Sequence, residues 1–269
     1  MKTPGVQYNG AVPIDGTAVM TQAQTPTLRA FALLERLIEV GAPVSLADLA
    51  RDAGMPKTSL HRLLASFEGA GLVAREPGTK PAYVVGPRLA QLGLSIVLRA
   101  GARRERHAIL AALVADIGET CNLTMLHENE VLYLDRVEAS WPLRLELKPG
   151  SRVPAHCSAS GKLMIALLPR EQRSALVHAM RLSRHTPNTI VDPGLLESEL
   201  DRIAHRGIAV DNEEFVTGIA CVAAPVIDAS GACIAALAVH APVSRMPLSL
   251  ALDQVPRLQQ AAQALATTF

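Results

Sequence analysis

Residues 45–75 read SLADLARDAGMPKTSLHRLLASFEGAGLVAR. The stretch holds two short amphipathic segments separated by Gly54-Met55-Pro56. Ser45 is placed to cap the first, with Asp48 as an acidic first-turn residue. Leu46, Leu49, Ala50 and Ala53 recur at helical spacing on one face. Gly54 and Pro56 then stop this helix and let the next begin. In the second segment Leu60, Leu63, Leu64 and Phe67 form the apolar stripe. The opposite face carries Lys57, Thr58, Ser59, His61, Arg62 and Ser66, donors with no carboxylate before Glu68. Two helices joined by a tight turn, the second with a donor-rich outer face, predict a helix-turn-helix whose second helix enters the DNA major groove. Such a pair also occurs as ordinary core. The following residues favour DNA: Leu72–Ala74 and Ala82–Val85 read as strands around the turn EPGTKP, with Arg75 and Lys80 flanking it. A hairpin directly after a helix-turn-helix is a wing, and its basic flanks suit phosphate contacts.

Working outward, the preceding segment predicts a helix starting after Pro26, with a core stripe of Leu28, Phe31, Leu34, Leu37 and Ile38. Residues 1–24 lack periodicity and are expected to be a disordered tail; Met20 is an alternative start. From Arg88 a helical pattern leads into RAGARRERH, expected to be a solvated surface. A new helix is expected over Ile109–Ile117. The period then changes. Asn122–Leu126, Val131–Val137 and the alternating Leu143, Leu145 and Leu147 read as strands. KPGSRVPAHCSAS and SRHTPNTIVDPG read as loops. Helices are expected over Gly161–Leu168, Arg170–Met180, Leu195–His205 and Leu250–Ala266. Further strands are expected over Ile208–Val210, Ile219–Val226 and Cys233–Val239. Antiparallel strands with grouped helices define an α+β class.

A chain of 269 residues accommodates two domains. A net charge of +1 excludes a bulk polycation, so nucleic-acid binding has to come from a local patch. No apolar run reaches the roughly 18 residues of a membrane span, and no secretory signal is seen. Cys121, Cys157, Cys221 and Cys233 lack CxxC spacing and are read as reduced thiols, which fits a cytoplasmic protein.

PTLRAFALLERL, the stretch from Leu46 to Arg75 and YVVGPRLAQLG resemble the IclR family of transcriptional regulators. AHCSASGKLMIALL, DRIAHRGIAVDNEEFVTGIACVAAPVIDASG and ALAVHAPVSRM extend the similarity over nearly the whole chain after about residue 25. The resemblance implies a winged helix-turn-helix DNA-binding domain (25–87), a linker helix (88–108) and a GAF-like effector-binding domain (109–269). It implies operator double-stranded DNA and a small organic acid effector as partners, with a homodimer or homotetramer as the assembly. Lys57, Thr58, Ser59, His61, Arg62, Arg75 and Lys80 are the candidate DNA contacts. Arg62 is assigned a base edge because a guanidinium pairs two ways with guanine.

SASGK at Ser158–Lys162 opens a helix after a loop, and helix starts carry free N–H groups that suit anions. Small residues at Ala159, Ser160 and Gly161 leave that backbone approachable. The resemblance implies that the Ala159 and Ser160 backbone meets the effector carboxylate. It also implies that Asp211 and Cys221, ten residues apart, line the pocket. Where the family pattern has a Ser-x-Ser pair, this chain has Ala238 and His240. The loss of those hydroxyls points away from glyoxylate or pyruvate, towards a different carboxylate, an aromatic one among the candidates. Leu145, Leu147 and Met164 are candidates for its apolar wall.

An enzyme, or a GAF-like sensor that does not act on DNA, is the alternative. Cys221 with His240 or His156 evokes a thiol nucleophile and its base, and His156 beside Cys157 evokes metal ligands. No HExxH, zinc-ribbon, GxSxG or P-loop pattern supports either, so no catalysis, metal or cofactor is expected.

Overall fold

The computed structural model describes residues 25–76, 81–97, 100–142 and 147–269. The expected tail (1–24), Lys80, and the Leu143 and Leu145 positions of the expected third strand lie outside these residues; Leu147 is in no strand. Contacts divide the chain into two units between Ile96 and Val97.

In the first unit, α1 (Pro26–Val40) starts where Thr25 Oγ1 accepts from Leu28 N–H and ends at Gly41, whose φ of 58° is left-handed. Ser45 caps α2 (Leu46–Ala53) by accepting from Asp48 N–H at 3.2 Å. Gly54, also left-handed, ends it, and α3 (Lys57–Gly69) begins after Pro56. Leu33, Leu34, Leu37, Leu49, Leu60 and Leu64 bury one another in the core of this unit. The stripe expected on α1 is shifted. Ala32, Leu33, Leu34 and Leu37 are inside, whereas Leu28, Phe31 and Ile38 are exposed. The wing strands β2 (Val73–Glu76) and β3 (Ala82–Val85) pair antiparallel. A two-residue strand not foreseen, β1 (Val44–Ser45), joins the outer side of β3. Gly86 follows because no side chain fits there: a Cβ would collide with the Gly71 carbonyl oxygen. α4 (Pro87–Val97) comes next.

The second unit begins with α5 (Ala100–Ile117), one helix that runs through the expected break at Ile109. The basic run is not simply solvated either. Arg106 is buried, donates to the Thr268 carbonyl at 2.8 Å and lies over the Phe269 ring. Arg103 and His107 both reach the buried Asp135. The sheet comprises β4 (Thr120–His127), β5 (Glu130–Val137), β6 (Arg152–Pro154), β7 (Ala209–Asn212), β8 (Ile219–Ile227) and β9 (Cys233–Pro242). Its order is β6-β5-β4-β9-β8-β7, antiparallel throughout. β6 lies inside a stretch expected to be loop. α6 (Ala159–Ala166) packs wholly buried against this sheet, with α7 (Arg170–Ala179) and α8 (Pro193–Arg206) around it. The expected closing helix is two, α9 (Leu248–Leu252) and α10 (Val255–Ala266), interrupted just before Pro256, which cannot donate to a preceding turn. Among the described residues no helix is long and apolar enough to cross a membrane.

Candidate functional site

α3 turns Leu60 and Leu64 inward, so the helical period leaves Lys57, Thr58, Ser59, His61 and Arg62 exposed together on the outer face. Neither Lys57 nor Arg62 makes an ion pair with another described residue. Arg75 is more constrained than expected. It sits 3.3 Å from Glu68 and over the Tyr83 ring at 5.6 Å, so part of its charge is already matched.

The six residues expected to meet an effector line one cavity in the second unit. Ala159 and Ser160 come from the start of α6, Asp211 from β7, Cys221 from β8, and Ala238 and His240 from β9. The sheet register explains the convergence. Asp211 lies opposite Cys221, Cys221 opposite His240, and His240 opposite Thr120. Directly paired residues share a face, so one row of four strands delivers these side chains side by side. Ala238 and Asn122 form the next row on that face.

Val131, Tyr133, Val153, Phe215, Val216 and Ile219 supply the walls. Of the expected wall, Met164 packs in the core and the partly buried Leu147 against it instead, and Leu145 lies outside the described residues. Gly161 is also reassigned. A Cβ there would run into the Ala155 carbonyl oxygen, so glycine is required by backbone packing and not by ligand approach. Counting the solvent at its open mouth, the cavity is about 470 Å³, but only about 30 Å³ of it admits the centre of a water molecule.

The polar atoms of the cavity have fixed roles. Ser158 caps α6 by accepting from Gly161 N–H at 3.2 Å. The N–H groups of Ala159 and Ser160 belong to the first turn and have no acceptor within the helix. Arg136 Nη1 lies 2.9 Å from Asn122 Oδ1, and Asn122 Nδ2 lies 2.8 Å from His240 Nδ1. Arginine only donates, so the Asn122 atom facing it is the carbonyl oxygen and the amide NH₂ must face His240. His240 Nδ1 is therefore an acceptor. Burial, with Arg136 and Arg245 adding to it, pushes the His240 pKa down to about 3. The ring is neutral at pH 7 and carries its proton on Nε2, which is left as a donor for the cavity.

Asp211 is the opposite case. Its Oδ1 accepts from Glu214 N–H at 2.6 Å and from Phe215 N–H at 3.4 Å. Burial nevertheless pushes its pKa up to about 7, and the Glu214 carboxylate adds to the rise. Glu214 forms a buried ion pair with Lys162 of α6, a contact that no local sequence pattern announces. Cys221 is held well above its ordinary pKa by burial and then by Asp211. A thiolate is the nucleophilic form, so this protonated thiol suits packing better than covalent chemistry.

The sequence matches two family models. The IclR helix-turn-helix domain spans residues 26–77, and the C-terminal domain of bacterial IclR transcriptional regulators spans residues 95–267. The chain belongs to the IclR family. It is thus a DNA-binding transcriptional regulator with an effector-binding C-terminal domain. Among IclR-family relatives, the probable transcriptional regulator SauR of Cupriavidus necator is 43% identical, across 90% of this chain and 96% of that one. The transcriptional repressor IclR of Escherichia coli is 31% identical, across 91% and 90%. A crystal structure of an IclR homologue complexed with 4-hydroxybenzoate, from Microbacterium hydrocarbonoxydans, matches with a TM-score of 0.56 at 25% identity, across 89% of this chain and 98% of that chain.

Proposed function

We propose that the cavity of the second unit takes a small organic acid, and that its occupancy changes the DNA affinity of the winged-helix unit. The observation that carries this is the convergence of two kinds of donor on one apolar-walled space: the first-turn N–H groups of Ala159 and Ser160, and His240 Nε2–H. A carboxylate fits the helix start. A hydroxyl or second oxygen at the far end fits His240, which donates, and Asp211, which both donates and accepts when protonated. Phe215, Tyr133 and the aliphatic wall suit an aromatic ring between these ends, and the relative bound to 4-hydroxybenzoate is in keeping with that choice.

A short aliphatic acid is the second reading. It is favoured by the small water-accessible part of the cavity, into which a ring enters only if side chains move.

Operator contacts fall to Lys57, Thr58, Ser59, His61 and Arg62, with Arg75 and Lys80 at phosphates and residues 88–108 connecting the two functions. Self-association into a homodimer or tetramer is supported by the exposed Leu28, Phe31 and Ile38 on α1 and Leu92 and Ile96 on α4. A ligand shifts the affinity only as far as it prefers one arrangement of the assembly over another.

The test is thermal unfolding against a panel of aliphatic and aromatic carboxylates. At about a hundred times its Kd, a bound acid adds about 2.7 kcal/mol, a shift of several degrees. A 4-hydroxybenzoate shift supports the aromatic acid, and a shift from glyoxylate or pyruvate alone supports the aliphatic one. No shift across the panel refutes the organic-acid assignment.

A further inference from the structure

Outside this cavity, the described residues contain one group of three side chains with metal-binding atoms close together. One ring nitrogen each of His156 and His185 and the Cys157 sulfur all lie within 4.8 Å of one another. His156 and Cys157 are buried just ahead of α6, and His185 comes from the loop after α7. We propose that His156, Cys157 and His185 form a zinc site.

One nitrogen of His156 is already committed to the backbone, which leaves the other for an ion. The Nε2 lies 2.9 Å from the Ser183 carbonyl oxygen, which only accepts, so Nε2 carries the proton and Nδ1 keeps its lone pair. A histidine that binds metal through one nitrogen commonly donates the other N–H in this way, which fixes tautomer and ring orientation.

The third donor is held by a pinned loop. His185 N–H donates to Thr189 Oγ1 at 3.0 Å, and Thr189 Oγ1 in turn donates to the Glu214 carbonyl at 2.7 Å. Thr186 Oγ1 donates to the Glu213 carbonyl at 2.6 Å. The His185 ring rests edge-on against Phe215, 5.4 Å between centroids.

The donor set selects the metal class. Two imidazoles and one thiolate suit a borderline-soft divalent ion, and zinc takes such sets tetrahedrally. With Zn–N near 2.0 Å and Zn–S near 2.3 Å, donors stand roughly 3.5 Å apart. Closing onto the ion therefore takes about 1 Å of movement, and the exposed His185 ring can supply it. A space beside the two histidines, lined also by Met180 and Ser183, would admit water as the fourth ligand.

Zinc binding would replace the Cys157 thiol proton, releasing one proton per ion bound. Lys162, whose charge reaches both His156 and Cys157, is paired with Glu214 and does not stand against the ion as an unbalanced cation. Because residues 156 and 157 lead directly into Ser158–Ser160, the ion would tie the loop after α7 to the segment that lines the effector cavity.

The experiment is Co(II) titration of untagged, chelator-treated full-length protein, followed by competition with Zn(II). We expect one ion per chain with a sulfur-to-cobalt charge-transfer band. That band disappears in Cys157→Ser. Affinity falls by more than about tenfold in His185→Ala and is unchanged in His178→Ala, an exposed histidine elsewhere. Because Cys157 is buried and its variant is liable to misfold, His185→Ala decides the matter independently. Binding that lacks the sulfur band, or that survives His185→Ala undiminished, overturns the site.

Discussion

Replacing Asp211 by asparagine should make the protein more stable at neutral and alkaline pH, although it removes a charge from the candidate effector site. The carboxyl has an ordinary value of 3.8 and is pushed up to about 7 in the fold, first by burial and then by Glu214. The native state thus holds the proton more tightly than the unfolded chain does. Stability is therefore greatest below the unfolded pKa, falls as pH rises from about 4 towards 7, and levels off above the folded pKa. Three pKa units correspond to about 4 kcal/mol of differential proton affinity. The asparagine side chain of Asp211→Asn keeps an Oδ1 that can accept from Glu214 N–H and Phe215 N–H, so the backbone turn survives. The assay is thermal or urea unfolding of both proteins from pH 4 to pH 9. The variant should match the wild type near pH 4, gain through pH 4–7 and hold a constant advantage of up to about 4 kcal/mol above that. A difference that does not change with pH, or a wild type more stable at pH 8, would refute the protonated-Asp211 argument.

For an acid identified by thermal shift, His240→Met should weaken binding by about 10- to 150-fold, the loss of one hydrogen bond to a charged or strongly polar group. His240→Gln, which retains a donor, should recover part of that in calorimetric titration. On the DNA side, Arg62→Ala should cost about 1–3 kcal/mol and relax preference at one base pair. Selection from a randomised duplex pool would reveal this as one degenerate position, and undiminished specificity would reject Arg62 as a base reader. Gly161→Ala forces a Cβ onto the Ala155 carbonyl and should destabilise the second unit by about 1–3 kcal/mol, measured by chemical unfolding.

The two halves of the fold differed in how far they could be read from sequence. The helix-turn-helix was legible because its determinants are local: caps at Ser45 and Gly54, a proline at position 56, and leucines at helical spacing. The shifted stripe of α1 shows the limit of spacing alone. Leu28, Phe31 and Ile38 fit a helical face, yet the face in contact with the rest of the unit is that of Leu33 and Leu37. The strands β1 and β6 were missed because each is three residues or fewer and exists only through a distant partner. The cavity residues were reached through the family pattern, and the register of β7, β8, β9 and β4 supplies the physical reason they meet. The Arg136–Asn122–His240 chain and the Lys162–Glu214 pair could not be anticipated, since both join residues distant in sequence. For the same reason His156 and Cys157 looked incomplete as ligands until the fold brought His185 beside them.

The most direct test of the central claim is a linked titration. DNA affinity would be measured by fluorescence anisotropy, on a duplex recovered by selection, with and without a saturating carboxylate. The acid should change DNA affinity by some factor, and saturating DNA should change acid affinity by the same factor, because coupling between two sites is reciprocal. An acid that raises the melting temperature through the cavity yet leaves DNA affinity unchanged would contradict the account.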